Sequence, residues 1–374
     1  MALRIGIDAT PLLVTKTGIG KYTHELIFGL GQVAPENQYL LYANRPIPLD
    51  PKVCHTVKST HYLPQSRWLW MQTILPYCLH QDQVDLLHFT NNAAPLRVSK
   101  PYVLTIHDAS LFLFGQYHPL RRRIALRLLL PHAARQAAAI ITVSEYAKQE
   151  LQQELNLPAK KFHVVHQAAG EHFRPITDPE QRSLIRTRYQ LPKRYILYVG
   201  TIEPRKNLPR LLQAFHAVRQ QPTLKPIKLV LVGANGWMSD QLYEQIAKYD
   251  LTNHVQLLGY VPEADLPTLY SMATCFTFPS LHEGFGMPPL EAMACGVPVL
   301  TSQNSAMEEV CGDAASYVDP LDVESIASSL TALLSDVRLQ CSLKSKGLQR
   351  ARQYSWQRTA AATADVYRAV ISSL

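Results

Sequence analysis

What the sequence lacks narrows its chemistry at once. Its 374 residues hold no Cys-x-x-Cys pair, no Asp-x-Asp and no complete Gly-x-Gly-x-x-Gly. Without close cysteine spacing, the six cysteines (Cys54, Cys78, Cys275, Cys295, Cys311, Cys341) read as buried thiols in a reducing compartment rather than as staples. No apolar run reaches the roughly 18 residues that a membrane-spanning helix needs. Arg4 and Asp8 flank a short apolar stretch, which reads as a first strand and not as a signal peptide. Gly18-Ile19-Gly20 is only a fragment of the dinucleotide fingerprint, ten residues beyond Asp8, so a nicotinamide-dependent dehydrogenase is disfavoured. Charged residues make up 18% and apolar residues 47%, a balance that excludes a disordered, collagen-like or coiled-coil chain. A soluble, cytoplasmic protein of two domains is expected.

The formal net charge is +8, and it is unevenly spread: residues 1–175 carry +7 and the remainder +1. A phosphate-rich or anionic-surface partner is therefore sought on the first half. Nucleic acid is not expected, because no reader motif accompanies the high pI.

Short apolar runs alternate with amphipathic stretches along the whole chain. In the first half the strands expected are Arg4–Asp8, Leu86–Phe89, Tyr102–Ile106, Ile140–Thr142 and Phe162–Val165, with helical spacing at Ile19, Tyr22, Leu26, Ile27 and Leu30. After a break at Phe173–Pro175 the pattern restarts with Tyr195–Val199, Leu229–Val232, Val255–Leu258, Cys275–Phe278 and Val299–Thr301. Leu208–Arg219, Asp240–Tyr249, Ala264–Met272 and Pro288–Cys295 read as the helices between them. Continuous apolar strands alternating with helices predict an α/β fold with parallel sheets, as two Rossmann-like domains. The expected domains are 1–175 and 176–355, with a terminal helix, 356–374, returning to the first.

Residues 280–296 carry the strongest motif. Gly284 and Gly286 lie just before Pro288, where a helix can start, so bare amides and a positive dipole end would offer an anion site at the sheet's carboxyl edge. Glu283 and Glu291 bracket that site, and a carboxylate accepting two hydroxyl hydrogen bonds suits a vicinal diol. Solvated surface glutamates are the alternative. A second motif, Gly200-Thr201-Ile202-Glu203-Pro204-Arg205-Lys206-Asn207, follows the strand Tyr195–Val199. Arg205 and Lys206 could offset the two charges of a diphosphate, Arg205 as a fork and Lys206 as a point charge. Thr17-Gly18-Ile19-Gly20-Lys21-Tyr22 reads as a glycine-bearing loop that lets a ligand approach the backbone. His107, at the end of Tyr102–Ile106, could contact a sugar hydroxyl or could be a hydrogen-bonded structural residue.

Taken in order, these segments resemble the retaining glycosyltransferases of family 4. Glu283 to Glu291 matches that family's E-x7-E motif, and the Gly-Thr-x-Glu-x-Arg-Lys-Asn, Gly-x-Gly-Lys-Tyr and His-Asp elements fall in the family's order. The resemblance implies a GT-B architecture, two Rossmann-like domains facing a central cleft, and transfer of a sugar from a nucleotide-diphosphate donor with retention. It implies Arg205 and Lys206 at the pyrophosphate, Glu291 at the ribose, and Glu283 and His107 at the donor sugar. Phe285, Gly286 and Met287 would offer backbone amides, and Gly18 and Gly20 would face phosphate and acceptor. Gly200 would line the donor site, with the base beside Tyr260 and Val261. No metal or other cofactor is implied. The donor expected is GDP-mannose, with UDP-glucose as an alternative.

The acceptor expected is a glycan or a lipid-linked oligosaccharide. Arg121, Arg122, Arg123, Arg127 and Arg135, set among leucines, read as a basic amphipathic helix. Arg67, Trp68, Leu69 and Trp70 form a second basic and aromatic stretch. Both could dock peripherally on anionic lipid at the inner membrane face. A sugar-nucleotide epimerase and a non-catalytic nucleotide-sugar sensor are the rival readings. The first lacks an assignable acid–base pair, and the second would not need both Glu283 and Lys206.

Overall fold

The structure is a computed structural model that describes residues 2–14, 18–47, 56–57, 66–115, 120–234, 236 and 240–373. The chain divides into two compact units, Met1–Gln167 with Ser355–Leu374, and Ala168–Tyr354.

In the first unit seven strands form one parallel sheet: β1 (Arg4–Asp8), β2 (Gln38–Tyr42), β3 (Thr56–Val57), β4 (Leu86–Phe89), β5 (Tyr102–Ile106), β6 (Ala139–Thr142) and β7 (Phe162–Val164). The spatial order is β3-β2-β1-β4-β5-β6-β7, so the direction of winding reverses between β1 and β4. In the second unit β8 (Tyr195–Val199), β9 (Lys228–Val232), β10 (Val255–Gly259), β11 (Cys275–Phe278), β12 (Val299–Ser302) and β13 (Ala315–Val318) form a parallel sheet. Its order is β10-β9-β8-β11-β12-β13, which reverses between β8 and β11. Strands such as β5 and β11 are buried along their whole length, as a parallel sheet covered on both faces requires.

Three strands, β2, β3 and β13, add to those expected. β13 is four residues with a serine among them, and β2 is a glutamine followed by four apolar residues, too short for periodicity to tell strand from helix. The helix expected from Ala264 begins at Leu266, because Pro267 suits a first helical turn and Glu263–Asp265 form a 3-10 turn ahead of it.

The terminal helix, Trp356–Ser372, packs on the first-unit helix Gly18–Val33. Gly29 permits the close crossing: a Cβ there would lie 2.8 Å from the Ala360 Cβ and 3.1 Å from the Trp356 carbonyl oxygen. Beneath it runs a buried polar chain. His88 Nδ1 bonds the Tyr367 hydroxyl at 2.6 Å and His88 Nε2 bonds Thr105 Oγ1 at 2.7 Å, with the Tyr22 hydroxyl 3.2 Å from the same threonine. Burial, helped by the nearby His107, pushes the His88 imidazole down to about 3, so it is neutral at any working pH.

Among the described residues Cys275, Cys295 and Cys311 are free and buried, Cys341 is free and exposed, and Cys78 is buried; Cys54 lies outside them. Burial pushes the Cys275 and Cys311 thiols up to about 12, which makes them poor nucleophiles. No described helix is long and apolar enough to cross a membrane.

Candidate active site

The second unit's site forms where its strand order reverses, the position at which open α/β sheets bind ligands. Phe276 pairs with Leu197, which sets the end of β11 level with the end of β8. The segments leaving these strands are knit by main-chain bonds, the Leu281 N–H donating to the Arg205 carbonyl at 2.8 Å. Pro204–Lys206 form a single 3-10 turn after β8. Asn207 ends it in a left-handed conformation, with φ 62°, and its amide donates to the carbonyls of Pro279 at 3.0 Å and Pro320 at 2.6 Å. One side chain thereby fixes the cation turn against two other loops.

Within this frame Arg205, Lys206 and Glu283 meet. Lys206 Nζ lies 2.5 Å from Glu283 Oε1, and Arg205 Nη1 lies 3.2 Å from Glu283 Oε2. Arg205 also donates to the Glu203 carboxylate at 2.8 Å and to the His282 carbonyl at 2.6 Å. Ser280 Oγ donates to Glu283 Oε1 at 2.6 Å, and Lys206 Nζ sits 5.0 Å above the Phe278 ring. Burial alone would raise the Glu283 carboxyl. The Arg205 and Lys206 charges and the hydrogen bonds from Lys206 and Ser280 instead bring it down to about 2. Burial and the Arg205 charge lower the Lys206 ammonium, against the opposing pull of Glu283 and Glu203.

Neither Arg205 nor Lys206 stands bare in the fold. Each already faces a carboxylate, so Glu203, Arg205, Lys206 and Glu283 form a cluster of zero formal charge. Any anion that approaches Lys206 must compete with Glu283 for it. Glu203 and Ser280, both within the quoted motifs, complete the cluster. Spacing alone does not assign them, because their partners lie on other segments or depend on a turn.

Beyond Glu283, Gly286 caps the helix Met287–Ala294 with φ 110°, a conformation that glycine adopts freely, and a Cβ there would lie 3.0 Å from Met307 Cγ. Phe285 is buried with its ring edge-on to Tyr354, so its side chain belongs to the core. Met287 opens the helix and is half-buried. Glu291, 7% exposed, accepts a hydrogen bond from the Tyr270 hydroxyl at 3.1 Å. Gly200 leaves β8 so tightly that a Cβ would meet the Tyr198 hydroxyl at 2.8 Å. Tyr260 and Val261 follow β10, two strands from β8; Tyr260 is 53% exposed and Val261 is buried.

The other expected site residues belong to the first unit. Gly18 and Gly20 lie in the first turn of the helix Gly18–Val33, not in a loop before it, and Thr17 lies outside the described residues. Gly18 is exposed, with nothing within 4 Å of an added Cβ, whereas Gly20 is buried. His107 follows β5. Its Nε2 lies 3.0 Å from the Thr90 carbonyl oxygen, which can only accept, so Nε2 carries the proton and Nδ1 accepts from the Gln167 amide at 3.2 Å. Burial lowers its imidazole below the usual range, although the Thr90 bond and Asp108 pull the other way. Both ring nitrogens are thus engaged by the fold.

The two basic and aromatic stretches fare differently. Trp70 is fully buried and Arg67 pairs with Asp8 at 2.9 Å, leaving only Trp68 and Leu69 of that stretch exposed. The basic helix exists as Leu120–Gln136, but the side chains of Arg121, Arg122 and Arg123 lie outside the described residues. Arg127 and Arg135 are exposed, and Arg127 donates to the Phe112 carbonyl at 2.7 Å.

Comparison with known proteins agrees with this geometry. Residues 182–350 match the family described as Glycosyl transferases group 1, and residues 17–168 match Glycosyltransferase Family 4. The O-antigen chain mannosyltransferase B of Escherichia coli is 32% identical over 98% of this chain and 100% of its own length. The serotype-specific mannosyltransferase WbdA of Escherichia coli is 30% identical over 63% of this chain, which there spans only 29% of the relative. Sucrose-phosphate synthase from Thermosynechococcus elongatus superposes with a TM-score of 0.79 at 18% identity, covering 100% of both chains, and shares the fold. With two parallel sheets in GT-B form and a relative alike over its full length, the chain belongs to the family 4 glycosyltransferases and is a glycosyltransferase.

Proposed function

We propose that the enzyme transfers mannose from GDP-mannose to a hydroxyl of a glycan or lipid-linked oligosaccharide, with retention of anomeric configuration. The observation that carries the proposal is the closure of Lys206, Arg205 and Glu283 into one cluster at the β8–β11 reversal. The mannosyl part is supported by the full-length similarity to an O-antigen mannosyltransferase.

In this mechanism the donor diphosphate draws Lys206 from Glu283, and Glu283 turns its released oxygen to the sugar hydroxyls. Glu291 accepts from the ribose, and Tyr260 and Val261 flank the base. The amides of Phe285, Gly286 and Met287 face the phosphates, and the Gly200 backbone lines the donor site beside β8. Gly18, Gly20 and His107 keep their assignments to donor and acceptor. The bond from the anomeric carbon to phosphate oxygen breaks, and the bond to the acceptor oxygen forms on the same face. The acceptor's proton goes to the departing phosphate. Positioning and charge stabilisation supply the rate enhancement, without metal or other cofactor.

Peripheral contact with an anionic membrane at the inner face of the cell is part of the proposal. Trp68 at 51% and Leu128 at 72% exposure support it. Their two helices are joined through Leu96, whose N–H donates to Gln72 and whose carbonyl lies 3.0 Å from His132 Nε2. Co-sedimentation with anionic but not neutral vesicles is the expected result.

The decisive test offers GDP-, UDP- and ADP-sugars with a mannose oligosaccharide in the presence of EDTA and reads the product anomer by NMR. An α-mannosyl product from GDP-mannose is expected. Transfer only from UDP-glucose would replace the donor, release of a new sugar without acceptor would mark an epimerase, and dependence on added metal would overturn the cofactor-free mechanism.

A further inference from the structure

The first sheet has its own reversal, between β1 and β4, and the residues there are arranged around one guanidinium. Asp8 ends β1 opposite Phe89 of β4, and Thr90 Oγ1 donates to the Asp8 carbonyl at 2.9 Å, tying the two carboxyl ends together. The Asp8 side chain is fully buried. Its Oδ1 accepts from the Thr10 N–H at 3.0 Å and the Thr10 hydroxyl at 2.6 Å, and its Oδ2 accepts from Arg67 Nη2 at 2.9 Å. Arg67 Nε donates to Thr10 Oγ1 at 2.7 Å. One edge of the guanidinium is therefore locked. Among the described residues the other edge, Nη1 with the second Nη2 proton, meets no protein acceptor, and the Arg67 side chain is 36% exposed.

The geometry points to Arg67 as a specificity-determining residue that holds a pair of uncharged saccharide hydroxyls at this second reversal. The inference rests on the glycosyl-transfer reading and names the acceptor's chemistry on the first unit. A guanidinium fork presents two parallel donors, which match two oxygens on adjacent carbons of a sugar ring. Asp8 already cancels its charge, so a phosphate would gain little net attraction and would lie close to a buried carboxylate. At the end of β5 the Asp108 carboxylate is held within its own turn, its Oδ1 accepting from the Ser110 N–H at 3.0 Å and the Ser110 hydroxyl at 2.6 Å, and the groups beside it are an amide and an imidazole. The Asn92 side-chain oxygen Oδ1 accepts from the His107 main-chain N–H at 3.3 Å, and the His107 ring stands between Thr90 and Gln167. β5 stands two strands from β1, about 10 Å away, the span of two pyranose rings or less.

The test titrates the full chain with α-mannobiose and, separately, with mannose 6-phosphate, by saturation-transfer NMR without donor. The wild type is compared with Arg67→Lys, which keeps an ion pair with Asp8 but removes the fork. Arg67→Met is the second variant, used only if its melting curve shows a folded chain. The wild type is expected to bind the neutral disaccharide, and Arg67→Lys to bind it about tenfold more weakly, the loss of one to two net hydrogen bonds. Equal affinity of Arg67→Lys and wild type, no binding of the disaccharide by the wild type, or preference for the phosphorylated sugar would each overturn the inference. GDP binding, followed by thermal shift, reads the donor assignment independently: its absence with disaccharide binding intact would count against the proposed donor and not against Arg67.

Discussion

At the β8–β11 reversal four ionised side chains form one connected cluster, whereas at the β1–β4 reversal, among the described residues, the Arg67–Asp8 ion pair sits among amides, hydroxyls and the His107 imidazole. Both positions follow from the same strand topology, so the contrast comes from the side chains. Under the proposed function the first is a site with mobile compensation, in which carboxylates hold the cations until a diphosphate takes their place. The hydroxyl site inferred at Arg67 needs no such exchange, because buried Asp8 already cancels the charge there.

The largest effect that would break this comparison is at Glu283. Glu283→Gln leaves Lys206 and Arg205 with Glu203 as the remaining carboxylate of the cluster, a buried pair broken from one side at a cost of about 3 kcal/mol. A Tm several degrees lower and turnover reduced at least a thousandfold are expected; activity near wild type would show that the cluster is only structural. Next, Lys206→Ala should lower kcat by about 10²–10³ while donor KM changes much less, as for loss of one group that stabilises developing charge. Steady-state kinetics with GDP-mannose check it. Glu291→Ala should weaken GDP binding about tenfold or more, the value of a charge-assisted hydrogen bond, as read by calorimetry.

A smaller effect lies in the pH profile. Burial and Arg205 lower Lys206, so its charged form is lost below the roughly 10.4 of an ordinary lysine and kcat should fall there on the alkaline side. Lys206→Arg should move that limb beyond pH 11. Glu283, down at about 2, contributes stability that is complete above the ordinary carboxylate value near 4.3 and is lost as pH falls from there towards 2. The smallest effect on catalysis belongs to the first unit's interior. Tyr367→Phe removes a bond to buried His88 and should cost about 1–3 kcal/mol in unfolding free energy, with GDP affinity unchanged.

Much of this arrangement is legible in the sequence, because parallel strands are continuous apolar runs and the site motifs sit directly after two of them. Arg205, Lys206, Glu283 and Glu291 could be placed on one edge before any coordinates. Adjacency of β8 and β11 could not, since strand order depends on how the whole sheet winds. The pairings that follow from it, Lys206 and Arg205 with Glu283, are therefore the part that sequence spacing underestimates. Arg67 shows the same limit more sharply. Beside Trp68 and Leu69 it reads as part of a membrane-facing stretch, but its partner Asp8 lies 59 residues earlier and turns it inward. Gly18 and Gly20 suggest a loop because glycine is a poor helix former, yet the packing of Tyr22, Leu26 and Leu30 outweighs that propensity and extends the helix to its first glycine.

The terminal helix carries a consequence for biosynthesis. Tyr367, which caps His88, and Ala360, which meets Gly29, are translated after every strand of both sheets. At usual elongation rates the ribosome takes about 10–40 s to pass from the end of β7 to Ser355, while the polar chain beneath the helix stays open to water. The half of the enzyme that is made first is thus the half that is finished last.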